Sequence, residues 1–168
     1  NCQKSGSKSI VVWESADLVH WEEARLVNIA VDNAGCTWAP EAIYDPEKGM
    51  YMVFWASKIS DDNFSNQRMY KSYTIDFKTF TEPEIFIETD VSNIDTTIIE
   101  HKGIYYRFTK NESNSSVIME KSRFLDGQWS AVEGYNLGTM TGYEGPLIYK
   151  LNGEDKWCLL LDAYASRG

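Results

Sequence analysis

One pattern recurs along the chain, in Trp38-Ala-Pro-Glu41-Ala-Ile-Tyr44, in Asn93-Ile-Asp95-Thr-Thr-Ile98 and in Tyr143-Glu144-Gly-Pro-Leu-Ile-Tyr149. In each stretch an acid precedes a short apolar segment, and a glycine follows 8 residues after Glu41, 8 after Asp95 and 9 after Glu144. The acids are 54 and then 49 residues apart. A period of about 50 residues built from short strands is typical of a β-propeller blade. Because equivalent positions of successive blades converge on one channel, we expect Asp95 and Glu144 to face one pocket.

A second repeat lies out of phase with the first. Its copies are Ser15-Ala-Asp17-Leu-Val-His-Trp21, Ser72-Tyr-Thr-Ile-Asp76-Phe-Lys-Thr-Phe80 and Ser122-Arg-Phe-Leu-Asp126-Gly-Gln-Trp129. Each copy falls where the third and outermost strands of a blade would meet. We expect the aspartate to cap a turn there and the aromatic residue to close the edge of the blade.

Together the repeats predict an all-β chain that holds part of a propeller. The predicted division is a blade remnant at 1–34, whole blades at 35–85 and 86–135, and a partial blade at 136–168. The first strand of the opening blade is then expected to precede Asn1. This piece alone is expected to fold poorly, or to be the ordered part of a longer chain.

Composition excludes several classes of partner. The 168 residues carry a formal net charge of −9 and a pI near 4.7, which disfavours nucleic acid because binding phosphates requires clustered Lys and Arg. No apolar run approaches the roughly 18 residues that a membrane span needs. Three cysteines and two histidines fit no zinc-binding spacing, so no metal ligands are predicted.

A pair of carboxylates in an enclosed pocket suits acid–base cleavage of an acetal. One carboxyl group must hold a proton for the leaving oxygen, which burial and a like-charged neighbour favour. An inverting glycosidase places a second carboxylate about 6.5–9.5 Å away to activate water. The alternative for Asp95 and for Glu144 is that each simply caps a turn.

These segments, together with Gly103-Ile-Tyr-Tyr106 and Thr37 before Trp38, resemble glycoside hydrolase family 43 over residues 9–162. The resemblance implies a five-bladed β-propeller that cleaves arabinose- or xylose-containing plant polysaccharides with inversion and needs no cofactor, although some members hold a cation in the channel. It implies an extracellular or periplasmic protein. Asp95 matches the acid that orients the substrate and raises the pKa of the proton donor, and Glu144 matches the general acid. The family's general base has no match here, because its strand would precede Asn1, so the fragment alone is expected to be inactive.

Other residues are candidates for contacts with the sugar. Trp38 could stack on a sugar ring or pack between blades. Tyr143 and Arg107 are candidates for the pocket rim, although strand alternation does not settle which way Arg107 points. Glu41, which the acid-to-glycine spacing makes equivalent to Asp95, is expected in a structural or outer position, and Asp162 ends a strand near the channel. Lys110, with Asn111 and Glu112, is expected in a solvated turn.

The sequence favours an exo-acting α-L-arabinofuranosidase, with β-xylosidase and endo-arabinanase open. A second reading is a non-catalytic propeller that binds glycan or protein, since a fold does not fix a function. A third is a propeller hydrolase that acts with retention, whose carboxylates would lie nearer to about 5.5 Å apart.

Overall fold

The structure, a computed structural model, describes residues 1–164 and consists mainly of antiparallel strands. A short helix α1 (Cys2–Ser5) and a 3-10 turn (Ser60–Asp62) are the helical elements of that part of the chain. The strands are β1 (Ser9–Val12), β2 (Arg25–Asn28), β3 (Trp38–Asp45), β4 (Met50–Lys58), β5 (Gln67–Thr74), β6 (Glu84–Ile87), β7 (Asn93–His101), β8 (Ile104–Asn111), β9 (Ser116–Ser122), β10 (Ser130–Ala131), β11 (Glu144–Lys150) and β12 (Trp157–Asp162).

The strands form two compact units, Asn1–Ile87 and Glu88–Gly168. The first unit contains the hairpin β1–β2 and a sheet in the order β3-β4-β5-β6. The second contains a sheet in the order β7-β8-β9-β10 and the hairpin β11–β12. In both four-stranded sheets consecutive strands are neighbours, which is the arrangement of a propeller blade. The predicted all-β class is therefore confirmed, while the blade boundaries stay a prediction.

The core of the first unit forms where the hairpin β1–β2 meets the four-stranded sheet. It contains Ile10, Ile29, Val53, Trp55 and Tyr70, and the rings of Trp55 and Tyr70 stack with their centroids 6.3 Å apart. Strand β4 is buried along most of its length. Its continuous apolar sequence Met50-Tyr-Met-Val-Phe-Trp-Ala56 is what a strand covered on both faces requires.

The second repeat occupies the turns that were predicted for it. The carboxylate of Asp17 accepts the N–H groups of Val19 and His20 between β1 and β2. Between β5 and β6 the carboxylate of Asp76 accepts those of Lys78 and Thr79 at 2.9 Å. The hydrogen bond from the Thr79 N–H has the largest effect and that from the Lys78 N–H the next largest, and they lower the pKa of Asp76 to about 2. The capping role of both aspartates is confirmed.

A β-bulge lies near the start of β3, β7 and β11, at the same place in each strand. The register with the partner strand shifts between Trp38 and Glu41, between Ile94 and Thr97, and between Glu144 and Leu147. Within these bulges Ala39, Asp95 and Gly145 have positive φ angles of 47°, 53° and 57°. The three residues are therefore structural equivalents.

This equivalence corrects the alignment of the acids that spacing predicted. By register Glu41 corresponds to Thr97 and Leu147, and not to Asp95. Spacing counted back from a glycine fails because the three hairpin turns differ in length. The turn after β3 ends at Gly49, four residues beyond Asp45, whereas β7 and β8 pair directly at His101 and Ile104.

Candidate active site

Asp95 and Glu144 lie beside each other within the second unit. The bulge in β7 directs the Asp95 carboxylate toward the start of β11, where its Oδ2 accepts the N–H of Gly145 at 3.2 Å. Gly145 follows Glu144 directly, so the contact ties one acid to the backbone of the other. Strand β11 also packs against β7 and β8.

The surroundings of Asp95 favour its protonated form. Burial raises the pKa of this carboxyl, and the negative charges of Glu144 and Glu112 act in the same direction. The Gly145 hydrogen bond and the positive charge of Lys110 oppose them. Desolvation is the largest of these effects, so the pKa lies above the ordinary value for aspartate.

Lys110 binds Glu144 and was missed from the sequence. Its Nζ donates to Glu144 Oε2 at 2.6 Å and lies 2.5 Å from Glu112 Oε1. The expectation of a solvated turn is wrong for Lys110, because β8 continues to Asn111 and only 4% of the residue is exposed. Alternation along β8 was the available signal, since it places Lys110 on the same face as the buried Phe108.

Tyr143 and Asp162 flank Glu144. The N–H of Tyr143 donates to the carbonyl of Ser115 at 3.1 Å, which attaches the start of β11 to the turn between β8 and β9. Asp162 lies directly opposite Glu144 in the register of β11 and β12, and it is exposed. Both residues are thus near Glu144, while their contacts with a sugar stay a prediction.

Arg107 forms a buried ion pair, and its place at the pocket rim stays a prediction. Its Nε donates to Glu120 Oε2 at 2.8 Å, and its guanidinium lies 4.5 Å from the ring of Trp129. Because side chains alternate along β8, Arg107 is on the opposite face from Lys110. Its role in the structure is a buried ion pair across strands β8 and β9.

Trp38 and Glu41 belong to the first unit. Trp38 begins β3 just before the bulge and is partly buried. Glu41 lines an open groove of about 560 Å³ within this unit, together with Trp13, Glu14 and Phe77. The stacking role of Trp38 and the outer position of Glu41 remain predictions.

Two other kinds of site are absent from the part of the chain that the structure describes. Residues 1–164 contain no group of three or more His, Cys, Asp or Glu side chains arranged to hold a metal ion. The same residues contain no helix long and apolar enough to cross a membrane.

A match to a protein family defines the class to which the chain belongs. Residues 1–168 match a family related to glycosyl hydrolase family 43 and described as "Probable glycosyl hydrolase domain". The chain belongs to this family, and the family resemblance drawn from the sequence is confirmed.

Two individual proteins are similar to the chain. An "Alpha-L-arabinofuranosidase" from Bifidobacterium longum subsp. longum is 31% identical over 210 residues, covering 98% of this chain and 20% of the relative. The chain therefore spans about a fifth of that relative's length. A solved structure, described as a thermostable family-43 glycoside hydrolase, superposes with a TM-score of 0.57 at 19% identity. It covers 85% of this chain and 53% of the other, and it supports the fold alone.

Proposed function

We propose that the protein to which this chain belongs is a glycoside hydrolase that removes arabinofuranosyl groups from arabinose-containing glycans. Membership of the glycosyl hydrolase 43-related family supports hydrolysis, and the similar arabinofuranosidase supports the sugar. Exo action and inversion of the anomeric carbon are part of the proposal, and carbohydrate is the proposed ligand.

Glu144 is the proposed proton donor to the glycosidic oxygen. In an arabinofuranoside the leaving group is the alcohol attached to the anomeric carbon. It departs slowly as an alkoxide, so a positioned acid lowers the barrier by protonating its oxygen as the bond breaks. Asp95 is the proposed neighbour that orients the sugar and favours a proton on Glu144 by like-charge repulsion. We assign no general base among residues 1–164.

One observation carries these assignments. The Asp95 carboxylate is held against the backbone of Glu144 by the Gly145 N–H, although 49 residues separate the two acids in the sequence. If each acid merely capped a turn, the two acids would not need to lie close together. Acid–base cleavage requires that they do.

The proposal is tested with Glu144→Gln in the intact protein. Wild type is expected to release arabinose from an arabino-oligosaccharide with the inverted anomer first, as seen by proton NMR. The variant should lose at least about a hundredfold in kcat on this substrate, the usual contribution of a general acid, and still bind it. Glu154→Gln, on the exposed turn between β11 and β12, is the control and should keep wild-type rates.

Wild-type turnover by Glu144→Gln would exclude the general-acid role. Release of the retained anomer would favour a retaining hydrolase instead. Binding without any turnover by wild type would favour a glycan-binding propeller module.

Two further points belong to the proposal. The reaction as assigned uses carboxyl groups and water, and so we propose that it needs no cofactor. A polysaccharide substrate does not enter a cell, and so we propose an extracellular or periplasmic location.

A further inference from the structure

Lys110 is a buried cation shared by two acids. Its side chain is 4% exposed, while the side chains of Glu112 and Glu144 are 37% and 32% exposed. Burial opposes a charge on Lys110, but the hydrogen bonds to Glu112 and Glu144 outweigh it and hold the pKa of the ammonium above its ordinary value. A buried ammonium is costly without a partner, and here it has two.

Other charged or titratable groups around this cluster come from each neighbouring element. The charges of Glu144 and Glu112 raise the pKa of Asp95 on β7, and the charge of Lys110 lowers it. Tyr164, after β12, places its ring 4.5 Å from Lys110 Nζ, and its hydroxyl lies 2.5 Å from the Ser115 hydroxyl. Asp162 on β12 is opposite Glu144 and exposed. Lys110 is the cation among these groups that contacts Glu144.

The ion pair conflicts with a simple general acid. Lys110 Nζ and Glu144 Oε2 form an ion pair at 2.6 Å, yet Glu144 must carry a proton to protonate a leaving oxygen. The second partner resolves the conflict. When Glu144 takes a proton, Lys110 keeps its contact with Glu112 and the buried charge is not left alone.

We propose that Lys110 and Glu112 are positioning residues that together place a buried ammonium where Glu144 becomes charged as it gives up its proton, an inference that rests on the proposed function. Before bond cleavage Glu144 is protonated from water and Lys110 is held by Glu112. As the proton passes to the glycosidic oxygen, the developing Glu144 carboxylate gains the Lys110 hydrogen bond. That interaction is stronger in the transition state than in the ground state, which is the condition for lowering a barrier.

The two residues are expected to act in opposite directions. Lys110→Met removes the cation, so Glu144 keeps its proton to higher pH and the alkaline limb of the kcat/KM profile moves up by roughly one pH unit. Glu112→Gln removes a negative charge and leaves Lys110 wholly on Glu144, so the limb moves down by a smaller amount. Lys110→Arg should stay near wild type, and Lys121→Met, at an exposed position of β9, is the control for loss of a lysine.

Opposite shifts of the alkaline limb in Lys110→Met and Glu112→Gln support the proposal. A purely structural role would lower the rates of both variants without moving their alkaline limbs apart. Shifts in the same direction, or unmoved limbs in an active enzyme, overturn it. If Lys110→Met does not fold, Glu112→Gln decides alone, with a downward shift in support and an unmoved or upward limb against.

A direct titration separates this inference from the proposed function. The Glu144 carboxyl carbon can be followed by ¹³C NMR and assigned by its absence in Glu144→Gln. If wild type cleaves no arabinofuranoside, the proposed function fails, but the titration midpoint should still rise in Lys110→Met and fall in Glu112→Gln. Unchanged midpoints in both variants would overturn the inference whatever the activity.

Discussion

Asp95 combines two unfavourable features in one residue. Its φ of 53° lies in the left-handed region, and burial holds the pKa of its carboxyl above the ordinary range. Aspartate tolerates this backbone region better than most residues, which explains how the bulge accepts it. Residues held against local preference cluster at functional sites, and Asp95 fits that tendency.

The raised pKa of Asp95 predicts how the protein's stability depends on pH. The folded state binds this proton more tightly than the unfolded state, so the stability that Asp95 contributes is fully present at low pH and is lost as pH rises through the folded pKa. Asp95→Asn should therefore raise Tm at pH 7 by about 1–3 °C, and the gain should vanish toward pH 4.

Thermal denaturation followed by circular dichroism at several pH values makes that measurement. Asp90→Asn, an exposed position in the same unit, removes the same charge and is the control. A lower Tm for Asp95→Asn at pH 7 would mean that the contacts with Gly145 and Lys110 outweigh burial.

At the residue scale the sequence identified the two acids but not the cation that contacts Glu144. Asp95 and Glu144 stood out because each precedes a short apolar segment in a repeat. Lys110 did not, because Lys110-Asn-Glu112 has the composition of a turn. Alternation along β8 was a signal for its burial, and the pairing of β8 with β7 and the approach of β11 account for that burial.

The bulge shared by β3, β7 and β11 is the element that shapes the site. It inserts one residue into the strand and changes the direction of the side chain there. In β7 that side chain is Asp95, and in β11 the same position is Gly145, whose N–H meets Asp95. The bulge in β7 therefore supplies the acceptor of this hydrogen bond, and the bulge in β11 supplies its donor.

Gly145 offers a test of the bulge in β11. An alanine Cβ at this position would meet no atom within 4 Å, so the cost of Gly145→Ala comes from its φ of 57° and should be about 1 kcal/mol. Gly153→Ala is a matched control, since its φ is 76° and its surroundings are equally open.

Both variants should lose similar stability in chemical denaturation, while only Gly145→Ala should lower kcat/KM on arabinofuranosides. Equal activity in the two would show that the conformation at Gly145 matters to folding and not to the site.

The bulges could not have been predicted from spacing. The sequence marked the apolar segments that follow Glu41, Asp95 and Glu144, but the observed strands begin earlier, at Trp38, Asn93 and Glu144 itself. The residues that precede each apolar run pair with the neighbouring strand only because the bulge accommodates one extra residue. Whether a strand continues through a bulge depends on its partner strand, which the local sequence does not describe.

At the scale of the whole molecule, the period of about 50 residues predicted the architecture correctly. Each compact unit contains one complete four-stranded sheet and one hairpin. The period works because each blade repeats the same four-strand meander, so equivalent turns return at a regular interval. Arg107 shows the limit of such reasoning, because the sequence did not reveal Glu120 and Trp129 as its partners.

The dependence of the hydrolysis rate on the leaving group tests most directly whether Glu144 donates the proton. A series of aryl arabinofuranosides whose phenols differ in acidity should be hydrolysed by the intact wild-type protein with kcat/KM that changes little across the series. In Glu144→Gln the rate should fall steeply as the phenol becomes less acidic, because no proton reaches the departing oxygen. Parallel slopes for the two proteins would contradict the claim that Glu144 donates the proton.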